Sequence, residues 1–178
     1  MPDGGEEVTV KVISSLGEVS AAHWDACAGD ENPFVSHTFL KALEDSQAAT
    51  GETGWLPQHI VIEDAKGLVG CAPCYLKNHS HGEYVFDWGW ADAYERAGGQ
   101  YYPKLQVSVP FSPVTGPRLL VRNGEDKLNT RRLLAAGLLE LAKQHKVSSL
   151  HITFPQEDEW TELGEMGLLQ RQGQQFHW

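Results

Sequence analysis

K-L-Q-V-S-V (Lys104 to Val109), P-F-S-P-V-T-G-P-R (Pro110 to Arg118), L-L-V (Leu119 to Val121) and L-N-T-R-R-L-L-A-A-G-L-L-E-L-A-K-Q-H (Leu128 to His145) stand close together in the second half of the chain. The first alternates apolar and polar residues with the period of a strand. The second is too rich in proline and glycine to form a regular element. The third reads as a short strand. The fourth is the longest helix, with Leu134, Leu138 and Leu141 on one face. Downstream, L-H-I-T-F (Leu150 to Phe154) is a strand stopped by Pro155. Glu157 to Glu165 is a short helix with acid in its first turn, as the helix dipole prefers, and Gly167 ends it. Leu168 to Trp178 reads as one more strand. Upstream, Q-H-I-V-I-E (Gln58 to Glu63) and Leu68 to Lys77 form a hairpin around Asp64-Ala65-Lys66-Gly67. Val8 to Ile13 is an alternating strand. Glu18 to Ala28 is helical up to the break at Asn32-Pro33. Ser36 caps a helix that runs to about Ser46, with Phe39, Leu40 and Leu43 on one face. The order β-α-α-β-β-loop-β-α-β-α-β predicts an α/β (α+β layered) fold: a central mixed, mostly antiparallel sheet flanked by helices.

The remaining segment, Asn78 to Tyr102, reads as a long loop with a short helix near Asp92 to Ala97. Loops this long inside a folded unit usually carry function. It holds the densest titratable cluster of the chain, His79, His81, Glu83 and Asp87, flanked by Tyr84, Phe86, Trp88, Trp90, Tyr94, Tyr101 and Tyr102. Extended, the segment would place His79, His81 and Glu83 on one side. Three readings stay open for the cluster. It is a structural polar group, it recognises or deprotonates an acceptor, or its His-x-His pair starts a metal site for which no further anchor stands out. The aromatic residues are either core or a surface that stacks on a substrate. Cys71-Ala-Pro-Cys74 lies on a strand, so its thiols point to opposite faces and read as core. His23, His59, His145 and His151 are isolated and need no functional account.

The chain has 178 residues, enough for one domain with a real core. No run of 18 apolar residues exists, which excludes a membrane-spanning helix. The first residues lack the basic and apolar regions of a signal peptide. Three cysteines are too few, and odd in number, for a disulfide scaffold. A cytoplasmic location is the expectation. The net charge of -10 argues against nucleic acid as a partner of this chain alone.

H-S-H-G-E-Y-V-F-D-W (His79 to Trp88), Y-Y-P-K-L (Tyr101 to Leu105), V-P-F-S-P-V-T-G-P-R-L-L (Val109 to Leu120), N-P-F-V-S-H-T-F-L (Asn32 to Leu40) and Q-F-H-W (Gln175 to Trp178) resemble the bacterial FemAB-like family. The element order is similar to that of the Gcn5-related N-acetyltransferase (GNAT) superfamily. The resemblance implies transfer of an acyl or aminoacyl group to an amine, with a small molecule or a cell-wall (peptidoglycan) precursor as acceptor. It implies acetyl-CoA or another acyl-CoA as co-substrate and no metal. It also implies that the chain corresponds to the first of two GNAT-like halves, and that it forms a dimer or docks to the second half. The alternative is an acceptor-recognition half with no turnover of its own.

In acetyltransferases the strand before the long helix ends in a glycine-rich loop, patterned Arg/Gln-x-x-Gly-x-Gly/Ala. Its N–H groups and the helix N-terminus hold the CoA pyrophosphate. By this resemblance Thr115, Gly116, Arg118 and Arg131 are the cofactor candidates, although Pro117 offers no N–H. Arg118 and Gly116 can instead shape the acceptor site. Arg131 and Arg132 fall in the first turn of the long helix, solvated or paired with Glu125 and Asp126 unless an anion binds there. Glu83, His81 and Asp87 are the catalytic candidates, with Glu83 or His81 as base. His79, Tyr84, Trp88, Trp90 and Phe111 are the substrate-contact candidates. An assembly role is also expected of the C-terminal strand edge with Phe176, His177 and Trp178.

Overall fold

A computed structural model describes residues 9–85 and 87–173. The hairpin is the spine of the fold. β1 (Thr9–Ile13) pairs antiparallel with β3 (His59–Asp64), and β3 pairs antiparallel with β4 (Gly67–Ala72). After Pro73 the same run continues as β5 (Cys74–Lys77), which β2 (Leu56–Pro57) flanks on one side. On the other side the run faces one antiparallel partner in two pieces. β6 (Lys104–Val107) opposes β5 and β7 (Leu120–Val121) opposes β4. Residues 108–119 leave the sheet between them. Pro73 cannot donate to the ladder, and neither can Pro110, Pro113 and Pro117 of the excursion. The expected single sheet is therefore two four-stranded sheets, ordered β1-β3-β4-β7 and β2-β5-β6-β8. β8 (Leu150–Ile152) is parallel to β6, which requires a long crossover.

That crossover is α4 (Lys127–His145). Its start is set by Asp126, whose carboxylate accepts the Asn129 N–H at 3.0 Å. Leu134, Ala135, Leu138 and Leu141 bury against Ile60, Ile62, Cys74, Leu105 and Val107, joined by Leu163 of α5 (Glu157–Glu165). A Cβ on Gly70 would lie 2.7 Å from Thr130 Cγ2, so the glycine permits α4 to sit this close to β4. Asp126→Ala removes the cap and is expected to cost about 1 kcal/mol of unfolding free energy in urea titration.

The other face of the first sheet is covered by α1 (Ala21–Ala28) and α2 (His37–Asp45), whose cap is Ser36 as expected. Trp24, Cys27, Val35 and Leu40 pack there on Val61, Leu68, Cys71 and Leu120. α1 starts later than the sequence pattern predicts. Ser20 caps it, and Leu16–Glu18 is a separate 3-10 turn with its own capping box at Ser15. α3 (Trp88–Arg96) starts earlier than predicted. The last expected strand does not form across residues 168–173, which have no ladder partner. The rest of it, including Phe176, His177 and Trp178, lies outside the described residues, as do Val8 and Phe86. Cys71 and Cys74 do fall on opposite faces, one in each core.

The face of β5 and β6 opposite α4 carries no long helix among the described residues. That face is covered by residues 78–102 and by Trp55.

Candidate functional site

On that face β5 presents Tyr75 and Lys77, and β6 presents Lys104, Gln106 and then Ser108. The register sets Lys77 directly opposite Lys104 and Tyr75 opposite Gln106. Both lysines have no exposed surface. Two like charges side by side on one sheet face are destabilising, and burial increases the cost. Residues 78–102 supply the compensation. Glu83 Oε2 accepts from Lys104 Nζ at 2.7 Å and Asp87 Oδ2 at 2.5 Å. Glu83 Oε1 lies 4.0 Å from Lys77 Nζ. Lys77 also donates to the His81 carbonyl at 3.3 Å and stands 3.5 Å over the Trp55 ring. Asp87 accepts from the hydroxyls of Tyr101 (2.8 Å) and Tyr102 (2.9 Å).

This arrangement separates the acidities of Asp87, Glu83 and Lys77. Burial pushes Asp87 up, but the Lys104 ammonium and the two tyrosine hydroxyls outweigh it and hold it at about 2. Burial wins at Glu83 and raises it above the usual carboxylate value, against Lys104 and Lys77. Burial lowers Lys77 from 10.5 to about 7, with Glu83 opposing and Lys104 assisting. A carboxylate raised by burial and an amine lowered by it thus lie side by side, as acid–base chemistry requires.

The Lys77 shift has a measurable consequence. Above pH 7 the unfolded chain keeps a proton on Lys77 that the native protein releases, so stability rises with pH. The rise should show between pH 7 and about 8.5; unfolded cysteines also begin to titrate there, equally in the parent and in a Lys77 variant, so the comparison isolates Lys77. Lys77→Met is expected to flatten it. Equal slopes for the variant and the parent, in urea titrations across that range, would show that Lys77 is not held neutral.

Among the described residues, six buried polar atoms of this face and its cover have no hydrogen-bond partner: Trp55 Nε1, Tyr75 OH, Ser80 Oγ, Glu83 Oε1, Gln106 Oε1 and Ser108 Oγ. Buried polar atoms are rarely left so, and a row of them on adjacent rungs marks a place for water or a ligand. The rim is strained. Tyr84 (φ +57°) and Phe111 (φ +58°) adopt the left-handed conformation that residues with a Cβ avoid. Phe111 packs on Trp55 at 5.4 Å, and a Cβ on Gly82 (φ +80°) would lie 2.7 Å from the Phe111 ring. The Phe111 N–H donates to the Gly82 carbonyl at 3.0 Å, tying the proline-rich excursion to residues 78–102.

Glu83, Asp87, Tyr84 and Phe111 lie together at or around this face. His79, His81 and Glu83 do not share a side, because the chain turns at Gly82 instead of running extended. The His81 side chain is exposed while Glu83 is buried. The His81 N–H donates to His79 Nδ1 at 3.2 Å, and burial lowers the His79 imidazole. No group of three or more metal-ligating side chains occurs among the described residues. Trp88 and Trp90 are exposed in the first turn of α3, and Trp90 lies under Arg171 at 4.4 Å. Sequence reasoning missed Lys77, Lys104, Tyr75 and Trp55. The signal for one of them was the alternation K-x-Q-x-S from Lys104, a polar strand face that a long loop buries.

The cofactor candidates are dispersed. Gly116 donates its N–H to the Phe154 carbonyl at 3.1 Å, and a Cβ there would lie 2.0 Å from Asn32 Nδ2. Arg118 is fully buried, with Nε on the Thr153 carbonyl at 2.9 Å and Nη2 on the Val114 carbonyl at 2.6 Å. Its own N–H and that of Leu119 donate to Glu159. Thr115 stands beside the α5 N-terminus, near Gln156 and Asp158. The loop that enters α4 is not Pro110 to Arg118 but Arg122-Asn123-Gly124-Glu125-Asp126, because β7 intervenes. It borders a cavity of about 460 Å³ lined by Cys27, Asp30, Glu31, Arg122, Glu125 and Arg131, among others. Arg131 sits in the second turn of α4 and pairs with Asp158 (3.0 Å), Glu162 (2.9 Å) and Glu159 (3.7 Å), not with Glu125 or Asp126. Arg122 is taken by Asp64 (2.6 Å) and Glu125 (2.7 Å), and Lys127 by Asp158 (3.0 Å). Arg122, Lys127 and Arg131 each have a carboxylate, and Asp126 occupies the helix N-terminus. A CoA diphosphate does not fit this loop as it stands, since Glu125, Asp126 and Asp158 would put fixed negative charge beside it.

A family profile described as peptidoglycan biosynthesis/recognition matches residues 15–178. The chain belongs to the FemAB-like family. No curated protein matches it in sequence. Among solved structures, this FemAB-like chain is similar to an aminoglycoside N-acetyltransferase in complex with CoA (10% identity, TM-score 0.56, covering 100% of this chain and 96% of the other). It is also similar to a ribosomal-protein-alanine N-acetyltransferase from Brucella melitensis biovar Abortus 2308 (12%, 0.57, 96% and 98%) and to a Trypanosoma brucei acetyltransferase (13%, 0.56, 96% and 99%). At these identities the likeness shows the fold: the FemAB-like chain has the GNAT acetyltransferase architecture. No helix among its described residues is long and apolar enough to cross a membrane.

Proposed function

We propose that this FemAB-like chain takes part in acyl transfer to an amine borne by a peptidoglycan precursor, with the β5–β6 face receiving the acceptor. The observation that carries the reading is the buried Lys77–Glu83–Lys104–Asp87 set beside a row of unpartnered polar atoms. Glu83, raised by burial and with Oε1 free, takes a proton from the acceptor ammonium. The amine then attacks the carbonyl of an acyl ester or thioester. The C–N bond forms, the C–O or C–S bond breaks, and the leaving group departs with a proton. Trp55 Nε1–H and Tyr75 O–H are unpartnered donors for the carbonyl oxygen that becomes negative. Lys104 and Asp87 hold Glu83 in place, and Tyr84, Phe111 and His79 border the acceptor. The family description and the fold support this reading.

One observation favours a second reading, an acceptor-recognition half whose donor is held by another GNAT-like half: the loop entering α4 offers no free anion cradle. Incubating the chain with a lysine-containing muropeptide and either acetyl-CoA or acetyl-pantetheine separates the two. Acetylated muropeptide, formed comparably from both donors, is the expected result and shows that the diphosphate is not needed. Muropeptide binding without product supports the recognition reading. Neither binding nor product, in folded protein, overturns both.

A further inference from the structure

The excursion between β6 and β7 ties two of its residues to one short stretch of backbone. The Gly116 N–H donates to the Phe154 carbonyl at 3.1 Å, and Arg118 Nε donates to the Thr153 carbonyl at 2.9 Å. The Thr153 N–H donates to the Val107 carbonyl of β6 at 3.1 Å. Thr153, directly after β8, is therefore held at both of its backbone groups. Its hydroxyl in turn accepts from Gln106 Nε2 at 2.8 Å. The acyl-transfer step itself requires none of these residues.

The consequence lies at the other end of the Gln106 amide. With Nε2 bound to Thr153, Oε1 is left without a donor, and Gln106 has no exposed surface. A buried carbonyl oxygen in that state is costly. Tyr75 stands directly across the register, yet its hydroxyl is unpartnered too, so the two do not satisfy each other. The Ser108 hydroxyl, two residues further along the same face, is a third orphan. Two residues of strand span about 7 Å, so the Gln106 rung lies about that far from the Lys104 rung, where Glu83 is held. Beyond Ser108 the row approaches the rim, where Phe111 and Tyr84 are about half exposed. An oxygen that needs an N–H, followed by a hydroxyl that can donate to a C=O, complements a peptide group.

We propose that Gln106 is a specificity-determining residue for the acceptor, its Oε1 receiving an N–H of a peptide group near the attacking amine. Thr153 is the positioning residue that holds the amide in this orientation, and Arg118 anchors Thr153 from behind. The Ser108 hydroxyl donates to a carbonyl of the same peptide. The proposal rests on the reading of the β5–β6 face as the acceptor site.

The test is binding of a lysine-containing muropeptide with no acyl donor present, followed by tryptophan fluorescence. Cadaverine, a linear diamine, is titrated beside it because it carries the amine without a peptide group. Gln106→Met keeps the bulk and removes the acceptor oxygen. It is expected to weaken muropeptide binding about tenfold and to leave cadaverine binding within about twofold of the parent. Thr153→Val frees the amide to turn and should weaken muropeptide binding about threefold, while Thr153→Ser should bind as the parent does. Equal losses for both ligands in Gln106→Met would mean a structural role only. Unchanged muropeptide binding would mean that water satisfies the oxygen. Either result overturns the proposal and leaves the acceptor site standing. A folded parent chain that binds neither ligand overturns the acceptor site and this proposal with it. If Gln106→Met does not fold, the Thr153 pair decides, and equal binding by its two variants counts against the proposal.

Discussion

Glu83→Gln is expected to slow amide formation by about 10²–10⁴-fold, the usual worth of a positioned general base. Glutamine keeps the shape of Glu83 and a carbonyl acceptor for Lys104, so the far-ultraviolet spectrum should be unchanged. The variant should still bind the muropeptide, because the acceptor contacts on the rim do not involve the carboxylate charge. The loss should therefore fall on kcat and not on KM. Glu83→Asp should recover part of the rate, since it restores a carboxylate at some cost in reach. A Glu83→Gln chain with a rate within a few-fold of the parent would remove Glu83 from the chemistry and leave Lys77, lowered to about 7, as the candidate base.

Lys104→Met should lower the unfolding free energy by about 3–5 kcal/mol, the cost of leaving a buried charge without its partner. Glu83 and Asp87 both accept from this ammonium, and neither is exposed to water that could replace it. The methionine fills the space but supplies no charge, so two carboxylates face each other with only Lys77 nearby. The triple variant Lys104→Met, Glu83→Gln, Asp87→Asn should recover a large part of the loss, because neutralising the whole set removes the desolvation penalty. Urea unfolding of the single and triple variants measures both. A single-variant loss near that of an exposed ion pair, about 0–1 kcal/mol, would mean that water reaches the set freely.

Much of the fold was legible because its signals are local. Ser36 caps α2, the leucine face of α4 has helical period, and the acidic first turn opens α5. Each acts within a few residues, and each element stands where its signal lies. The boundaries that moved did so for equally local reasons: Ser15 and Ser20 cap separate turns, and α3 begins directly after Asp87. The C-terminal strand is a different case. Its composition allowed a strand, but a strand exists only where a neighbour offers a ladder, and residues 168–173 have none.

The site divides the same way. That Glu83, Asp87, Tyr84 and Phe111 belong to an unusual stretch was visible from residue types alone. Their partners were not, because nothing local to Lys77 or Lys104 says that the two will lie opposite each other. Nor did the residues around Arg118 show that its guanidinium would be spent on the carbonyls of Thr153 and Val114. By itself the sequence determined most element types, the hairpin spine and the segment that holds the titratable cluster, since propensity, periodicity and capping act over a few residues. Tertiary structure alone decided the lysine pair, its burial under residues 78–102 and the acid-filled entry to α4. Strand register and packing bring together residues far apart in the chain, and their energies depend on burial that no short stretch encodes.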